Sequence, residues 1–139
     1  MTATVPAAAT TTTTLDLSAL LDGTITLTAR SRDAAGNRSG TVGPTNVVVK
    51  DTAAPPLRAD YSSLLGLGPK VSGNSECGAP VRATKTCGSD VGAVFSTQIT
   101  SGSSYSFAVE GPPLLGSVSY SVTAEDLAGN TSTAVTTGG

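Results

Sequence analysis

Apolar and polar residues alternate along two stretches of the chain whose equivalent positions lie 93 residues apart. Across residues 24–29, within the stretch 23–31, apolar residues alternate with threonine: the apolar ones are Ile25, Leu27 and Ala29. In residues 116–124 the same parity is kept by Val118, Tyr120 and Val122. A period of two places successive side chains on opposite faces of a strand. Both stretches therefore predict a strand with one buried face.

The same five-residue pattern follows each of these strands, DAAGN at 33–37 and DLAGN at 126–130. Aspartate at the start of a turn accepts a hydrogen bond from the backbone two residues on, and glycine adopts a positive φ that other residues resist. The pattern predicts one hairpin turn per copy, formed by Asp33, Gly36 and Asn37 and again by Asp126, Gly129 and Asn130. A spacing of 93 residues fits a β-sandwich domain of about 100 residues and is too long for a solenoid repeat.

The fold class expected from these patterns is all-β, essentially without helix. Threonine and valine favour pleated strands, and aromatic residues make up only 4% of the chain. In the first copy we predict strands at 12–17, 23–31 and 42–50. In the second copy we predict strands at 57–66, 69–74, 80–86, 92–99, 104–109, 117–125 and 131–137.

Two longer stretches resemble bacterial immunoglobulin-like (BIg) repeats of large surface adhesins. LDLSALLDGTITLTARSRDAAGNRSG, with NVVVKDTAAP after it, is similar to the C-terminal half of such a repeat and its short linker. VSGNSECGAPVRATKTC, continued by VFSTQITSGSSYSFAVEGPPLLGSVSYSVTAEDLAGNTS, resembles most of a full repeat. The resemblance implies an immunoglobulin-like antiparallel β-sandwich, with a partial repeat at 1–50, a linker at 51–56 and a nearly complete repeat at 57–139. The cysteine pair and RADYSSLLGLGP, where a first strand is expected, depart from the family pattern.

The offset between the copies predicts that the second copy lacks all or most of its last strand. The strand TNVVVK at 45–50 has its equivalent at 138–143, and the chain ends at Gly139. An unfilled strand position exposes backbone groups and an apolar groove. We expect that position to be supplied from elsewhere, as when the Thr-rich leader or first-copy strands of another molecule pair with it. The alternative is that the first copy is a loosely attached part of a neighbouring repeat.

Cys77 and Cys87 are the two cysteines of the chain, and each is followed by glycine. Because they are expected to lie on neighbouring strands or strand ends, they predict a structural disulfide and an oxidising compartment. A pair of free thiols is the alternative. A zinc site is disfavoured because the chain has no histidine to complete four ligands.

Charge and motif content exclude several classes of function. The net charge is −2 and there is no basic cluster, which argues against nucleic-acid binding. No apolar run approaches the ~18 residues of a membrane span, and the first residues lack the pattern of a signal peptide. We find no catalytic motif, since no histidine, nucleophile elbow or phosphate loop is present. We therefore expect no enzyme and no cofactor.

Calcium and isopeptide chemistry are the two site hypotheses that remain. The resemblance to tandem adhesin repeats implies that a linker aspartate, here Asp51, can bind Ca²⁺, with Asp33 or Asp126 as partners. Calcium needs 6–8 oxygens, so aspartates that only cap turns are the simpler explanation. Intramolecular isopeptide bonds occur in some surface sandwiches, and the lysines available are Lys50, Lys70 and Lys85.

The expected function is mechanical or adhesive: a stalk or spacer repeat of a bacterial surface or secreted protein, located extracellularly. Its partners would be neighbouring repeats or further copies of itself. The alternative is a self-assembling subunit that completes its sandwich by strand donation or swapping, as a filament or dimer. A carbohydrate-binding module would need an exposed aromatic strip, and Tyr105 and Phe107, at period two, favour core packing instead.

Overall fold

The computed structural model describes residues 14–43, 47–64, 67–112 and 116–139. The chain divides into two compact units, Met1–Asp51 (unit 1) and Thr52–Gly139 (unit 2), and the boundary lies within the predicted linker. All strands pair antiparallel, so the predicted all-β class is confirmed. The described ranges contain no helix of the length and apolar character needed to cross a membrane.

Unit 1 contains a two-stranded sheet of β1 (Gly23–Thr26) and β2 (Val47–Lys50). Ile25 lies opposite Val48 in this ladder. The pairing continues toward the hairpin turn as two isolated bridges, Ala29 with Val42 and Arg32 with Arg38. The strand predicted at 12–17 is not formed over residues 14–17, and its first two residues lie outside the described ranges.

The described residues of unit 2 form seven strands in two sheets. The strands are β3 (Arg58–Leu64), β4 (Leu67–Asn74), β5 (Pro80–Cys87), β6 (Val94–Gln98), β7 (Ser104–Ala108), β8 (Ser119–Ala124) and β9 (Val135–Gly138). One sheet has the order β3-β4-β7 and the other the order β6-β5-β8-β9. Each observed strand of unit 2 overlaps one predicted strand. The last one is displaced furthest, because the turn before it extends through Thr131, which bridges Glu125.

The core of unit 2 is built from alternate residues of both sheets. Tyr120 and Val122 of β8 and Val81 and Ala83 of β5 are completely buried, as the period-two pattern requires. They form one cluster with residues of the other sheet, including Val71 of β4. Burial of a side chain the size of valine or larger contributes about 1.5–3 kcal/mol of transfer free energy.

The chain's own residues occupy part of the strand position that the sequence predicted to be missing. β9 pairs with β8 from Ser119 opposite Gly138 to Val122 opposite Val135. Gly139 continues the ladder, because its N–H and C=O both bond to the backbone of Val118. The prediction took residues 45–50 as the strand's equivalent, whereas β9 corresponds to the stretch that begins at Val42, because Ala29 bridges Val42 as Val122 pairs with Val135.

Candidate functional site

The two Asp-x-Ala-Gly-Asn turns adopt the same backbone structure. Asp33 N–H donates to the carbonyl of Asn37 at 3.0 Å, and Gly36 N–H donates to the carbonyl of Asp33 at 3.1 Å. The equivalent bonds in unit 2 are Asp126 N–H to the Asn130 carbonyl at 3.0 Å and Gly129 N–H to the Asp126 carbonyl at 3.2 Å. Both turn glycines have positive φ, 96° and 89°, which explains why glycine stands at this position in each copy.

The aspartate side chain closes each turn by accepting hydrogen bonds from the asparagine. In unit 2, Asp126 Oδ1 accepts from the N–H groups of Ala128 and Asn130, and Oδ2 accepts from Asn130 Nδ2, all at 2.8 Å. In unit 1, Asp33 Oδ1 and Oδ2 accept from the N–H and the Nδ2 of Asn37, also at 2.8 Å. Both carboxylate oxygens are therefore engaged within the turn.

These hydrogen bonds stabilise the ionised carboxylates. The Asn37 side chain, followed by its backbone N–H, lowers the pKa of Asp33. Burial opposes ionisation of Asp126, but the hydrogen bonds from Asn130 and Ala128 outweigh it and lower the pKa of this residue as well. The turns are thus held by charge-assisted hydrogen bonds.

A serine two residues beyond each turn completes the corner, a role that sequence reasoning missed. Ser132 N–H donates to the Ala124 carbonyl at 2.8 Å, and its Oγ accepts from Ala124 N–H at 2.9 Å. Ser39 makes the same two bonds to Ser31, at 3.0 and 2.9 Å. The repeated serine in the aligned copies was the available signal. We name Asp33 to Ser39 and Asp126 to Ser132 the aspartate corners.

A buried lysine forms a second polar cluster that the sequence did not identify. Lys85, on the core-facing side of β5, donates from Nζ to Glu110 Oε2 at 2.6 Å, and its side chain is fully buried while that of Glu110 is about half exposed. Tyr120 OH donates to the backbone carbonyl of Glu110 at 2.6 Å. Glu110 lies two residues after β7, so both bonds fasten the β7–β8 connection to the second sheet.

The charge state of this cluster argues against a covalent link. The hydrogen bond that Lys85 donates to the Glu110 carboxylate raises the pKa of Lys85, so the amine stays protonated and is a poor nucleophile. Lys50, in unit 1, donates to the backbone carbonyls of Ser18 and Leu20 at 3.0 and 2.5 Å. Neither lysine is placed against an Asn or Asp side chain by these contacts.

Cys77 and Cys87 do not form the predicted disulfide in this structure. Cys77 precedes β5 and Cys87 is its last residue, and both are exposed free thiols. An extended strand rises about 3.3 Å per residue, so the span from Pro80 to Cys87 alone is about 23 Å. A disulfide requires Cα atoms within about 7 Å. The prediction placed the two cysteines on neighbouring strands or strand ends, whereas the length of β5 separates them.

The described residues hold no group of three or more histidine, cysteine, aspartate or glutamate side chains that could share a metal ion. Calcium binding near Asp51 therefore stays a hypothesis. The five aromatic side chains are all at least partly buried and belong to or pack against the unit 2 core: Tyr61, Phe95, Tyr105, Phe107 and Tyr120. They offer no exposed strip for stacking against a sugar.

A scan against protein-family models finds no match to this chain. A search of curated proteins likewise finds no match.

Proposed function

We propose that this chain is a non-catalytic structural repeat protein that serves as a stalk, spacer or adhesion segment of a bacterial surface or secreted protein. Its units would be immunoglobulin-like β-sandwich modules, one partial and one nearly complete. The observation that carries the proposal is the pair of aspartate corners, which repeat the same hydrogen bonds in two units joined by a short linker. Such tandem repetition is typical of modules whose role is to set distance and bear load.

Two features of unit 2 support the immunoglobulin-like assignment. Its first, second and fifth strands share one sheet and its third, sixth and seventh share the other, as in the immunoglobulin fold, while its fourth strand, β6, pairs with the third strand and not with the first sheet. Tyr120, near the start of the sixth strand, bonds through its hydroxyl to the upstream backbone at Glu110. That contact resembles the tyrosine corner of these sandwiches.

The contact between the first and last strands of unit 2 suggests how the module would resist force. Tyr61 N–H of β3 donates to Thr137 Oγ1 of β9 at 2.8 Å, which links the two sheets at this edge. Tension along a tandem array would enter unit 2 through β3 and leave through β9. It would therefore load this bond before the rest of the core.

Single-molecule stretching of the full chain between terminal handles tests the proposal. We expect one cooperative rupture of unit 2 with a contour-length gain of about 25–30 nm, at ~3.6 Å per residue. Thr137→Val, which removes the acceptor, should lower the rupture force, whereas Thr136→Val, an exposed neighbour on the same strand, should not. Gradual extension without a discrete rupture would contradict a load-bearing role.

A further inference from the structure

We propose that the hairpin of unit 1 is a binding surface for an acidic polysaccharide, a chain whose sugars carry sulfate or carboxylate groups. The surface is formed by Arg30, Arg32 and Arg38, which we name the arginine row. Residues 27–43 contain these three arginines and a single acidic residue, Asp33. The proposal rests on the adhesive form of the proposed function and adds the chemical class of ligand that unit 1 would hold.

Strand pairing brings the arginine row together, although its members are not contiguous in the sequence. Arg32 and Arg38 are direct partners in an antiparallel bridge, so their side chains leave the same face of the hairpin. Arg30 has the parity of Arg32, and its Nε donates to Thr41 Oγ1 on the opposite strand. All three arginines are exposed. The hairpin therefore presents three guanidinium groups to solvent on one face.

The arginine row lacks a counter-charge within the described part of the chain. None of its guanidinium groups forms an ion pair with a described carboxylate. Both carboxylate oxygens of Asp33 are taken by Asn37, and the groups that lower the pKa of Asp33, Asn37 first, all belong to its own turn. Like charges directly opposite each other in a ladder are destabilising, so Arg32 and Arg38 repel until an anion binds them.

Unit 2 shows that the aspartate corner does not need these arginines. At the offset of 93 residues, Arg32 and Arg38 correspond to Glu125 and Thr131, which form the equivalent isolated bridge. The two corners make the same backbone hydrogen bonds with these different residues in place. The arginine row is therefore not required by the fold, and exposed charge of one sign is a feature that attracts a ligand of the opposite sign.

The spacing of the arginine row fits a chain with repeated charges rather than a single ion. Arg30 is held at Thr41, on the side of the hairpin away from the turn. Arg32 folds back over the turn, where a Cβ on Gly36 would lie 3.2 Å from its Nη2. The two guanidinium groups therefore diverge along the hairpin. Because each guanidinium is a planar fork that binds an oxyanion by itself, a ligand with acidic groups at intervals engages them in turn.

The surroundings of the arginine row select a polysaccharide among acidic polymers. Exposed threonines share its face, Thr26 and Thr28 on the first strand and Thr41 on the second. Their hydroxyls can donate to and accept from sugar hydroxyls. Residues 1–51 contain no aromatic residue, so unit 1 offers no platform on which nucleic-acid bases would stack. The net charge of −2 on the whole chain opposes unspecific attraction of polyanions.

Binding of the full chain to dextran sulfate, carboxymethyl dextran and neutral dextran at low salt tests the proposal, because the three probes share one sugar backbone. We expect at least tenfold tighter binding to one or both charged dextrans than to neutral dextran, and weaker binding as salt screens the exposed charges. The charged dextran that binds more tightly identifies the acidic group recognised. Equal binding to all three would overturn the proposal. So would tighter binding to poly-glutamate or to a single-stranded oligonucleotide.

A matched pair of variants locates the surface. Arg38→Thr removes one charge and supplies the residue that unit 2 holds at the equivalent position, so it should weaken binding of the charged dextran at least fivefold. Arg82→Thr removes the same charge from an exposed position of β5 and should leave binding within twofold of the wild type. Equal losses in the two variants would overturn the assignment to the arginine row.

Hydrogen exchange guards against a variant that loses binding by unfolding. The double variant Arg32→Glu, Arg38→Thr reproduces the bridge of Glu125 with Thr131. It should lose binding of the charged dextran, while the Ser39 N–H, which donates to a backbone carbonyl across the hairpin, should stay as protected as in the wild type. Binding that survives in this variant would overturn the proposal. These readouts do not involve the rupture of unit 2, so the ligand and the load-bearing role can fail separately.

Discussion

Asn130 binds both carboxylate oxygens of Asp126, through its backbone N–H at Oδ1 and its side-chain amide at Oδ2, each at 2.8 Å. Asp33 and Asn37 form the same pair in unit 1. The two pairs differ in their surroundings, because Asp126 is buried and Asp33 is exposed. The same substitution can therefore be compared at a buried corner aspartate and at an exposed one.

Asp126→Ala should destabilise unit 2, because it leaves the N–H groups of Ala128 and Asn130 without their acceptor. Thermal unfolding followed by circular dichroism should show a clear drop in the main transition temperature. Asp33→Ala serves as the matched control, and it should leave that transition unchanged. Equal effects of the two substitutions would mean that the corner has no special role in unit 2.

Acid should destabilise unit 2 through Asp126. Its pKa is lower in the folded chain than the ordinary 3.8, so the unfolded chain binds the proton more readily. The stabilisation is therefore present above about pH 4 and is lost as the pH falls through the folded-state value. The urea midpoint, measured from pH 7 to pH 2, should decrease as the pH drops below about 4, and the decrease should be smaller in Asp126→Asn. Identical slopes in both proteins would assign the acid sensitivity to other groups.

Tyr120→Phe should cost about 1–2 kcal/mol of unfolding free energy, because the Glu110 carbonyl loses its hydroxyl donor in a partly buried setting. Tyr61→Phe is the matched control, because it also removes one tyrosine hydroxyl from unit 2. The Tyr61 hydroxyl is buried with no hydrogen-bond partner among the described residues, so its removal should be neutral or stabilising. Denaturant titration of both variants measures the difference. A neutral Tyr120→Phe would argue against a tyrosine corner.

Glu110→Gln should destabilise unit 2 at neutral pH, because the buried Lys85 ammonium would lose its counter-charge. Lys85→Met, which removes the buried charge and keeps the length of the side chain, should restore stability in the Glu110→Gln background. The exposed Glu125 offers the control Glu125→Gln, for which we expect no change. A double variant no more stable than Glu110→Gln would contradict this account of the pair.

The purified chain should contain two reactive thiols and no internal cross-link. Thiol titration without denaturant should report both Cys77 and Cys87, because both are exposed. Intact mass should show neither the loss of about 2 Da of a disulfide nor the loss of about 17–18 Da of an isopeptide bond. A monomer lighter by about 2 Da would require a different fold between the two cysteines.

The local sequence pattern alone determined those strands and turns whose structure depends only on neighbouring residues. The period-two alternation predicted the buried face of β8, and the Asp-x-Ala-Gly-Asn pattern predicted both turns, because hydrogen bonds within five residues and a positive φ at glycine require nothing distant. The all-β fold class follows from the same short-range preferences.

Only the tertiary structure decided which faces are covered and which distant groups meet. Ile25 and Val118 stand in equivalent strands and are both buried, yet two residues later Leu27 is 40% exposed, whereas its equivalent Tyr120 is covered by residues far away in the chain. The separation of Cys77 from Cys87 and the pairing of Lys85 with Glu110 likewise depend on strand order and register. Those properties arise from long-range packing, which a period of two along the sequence does not encode.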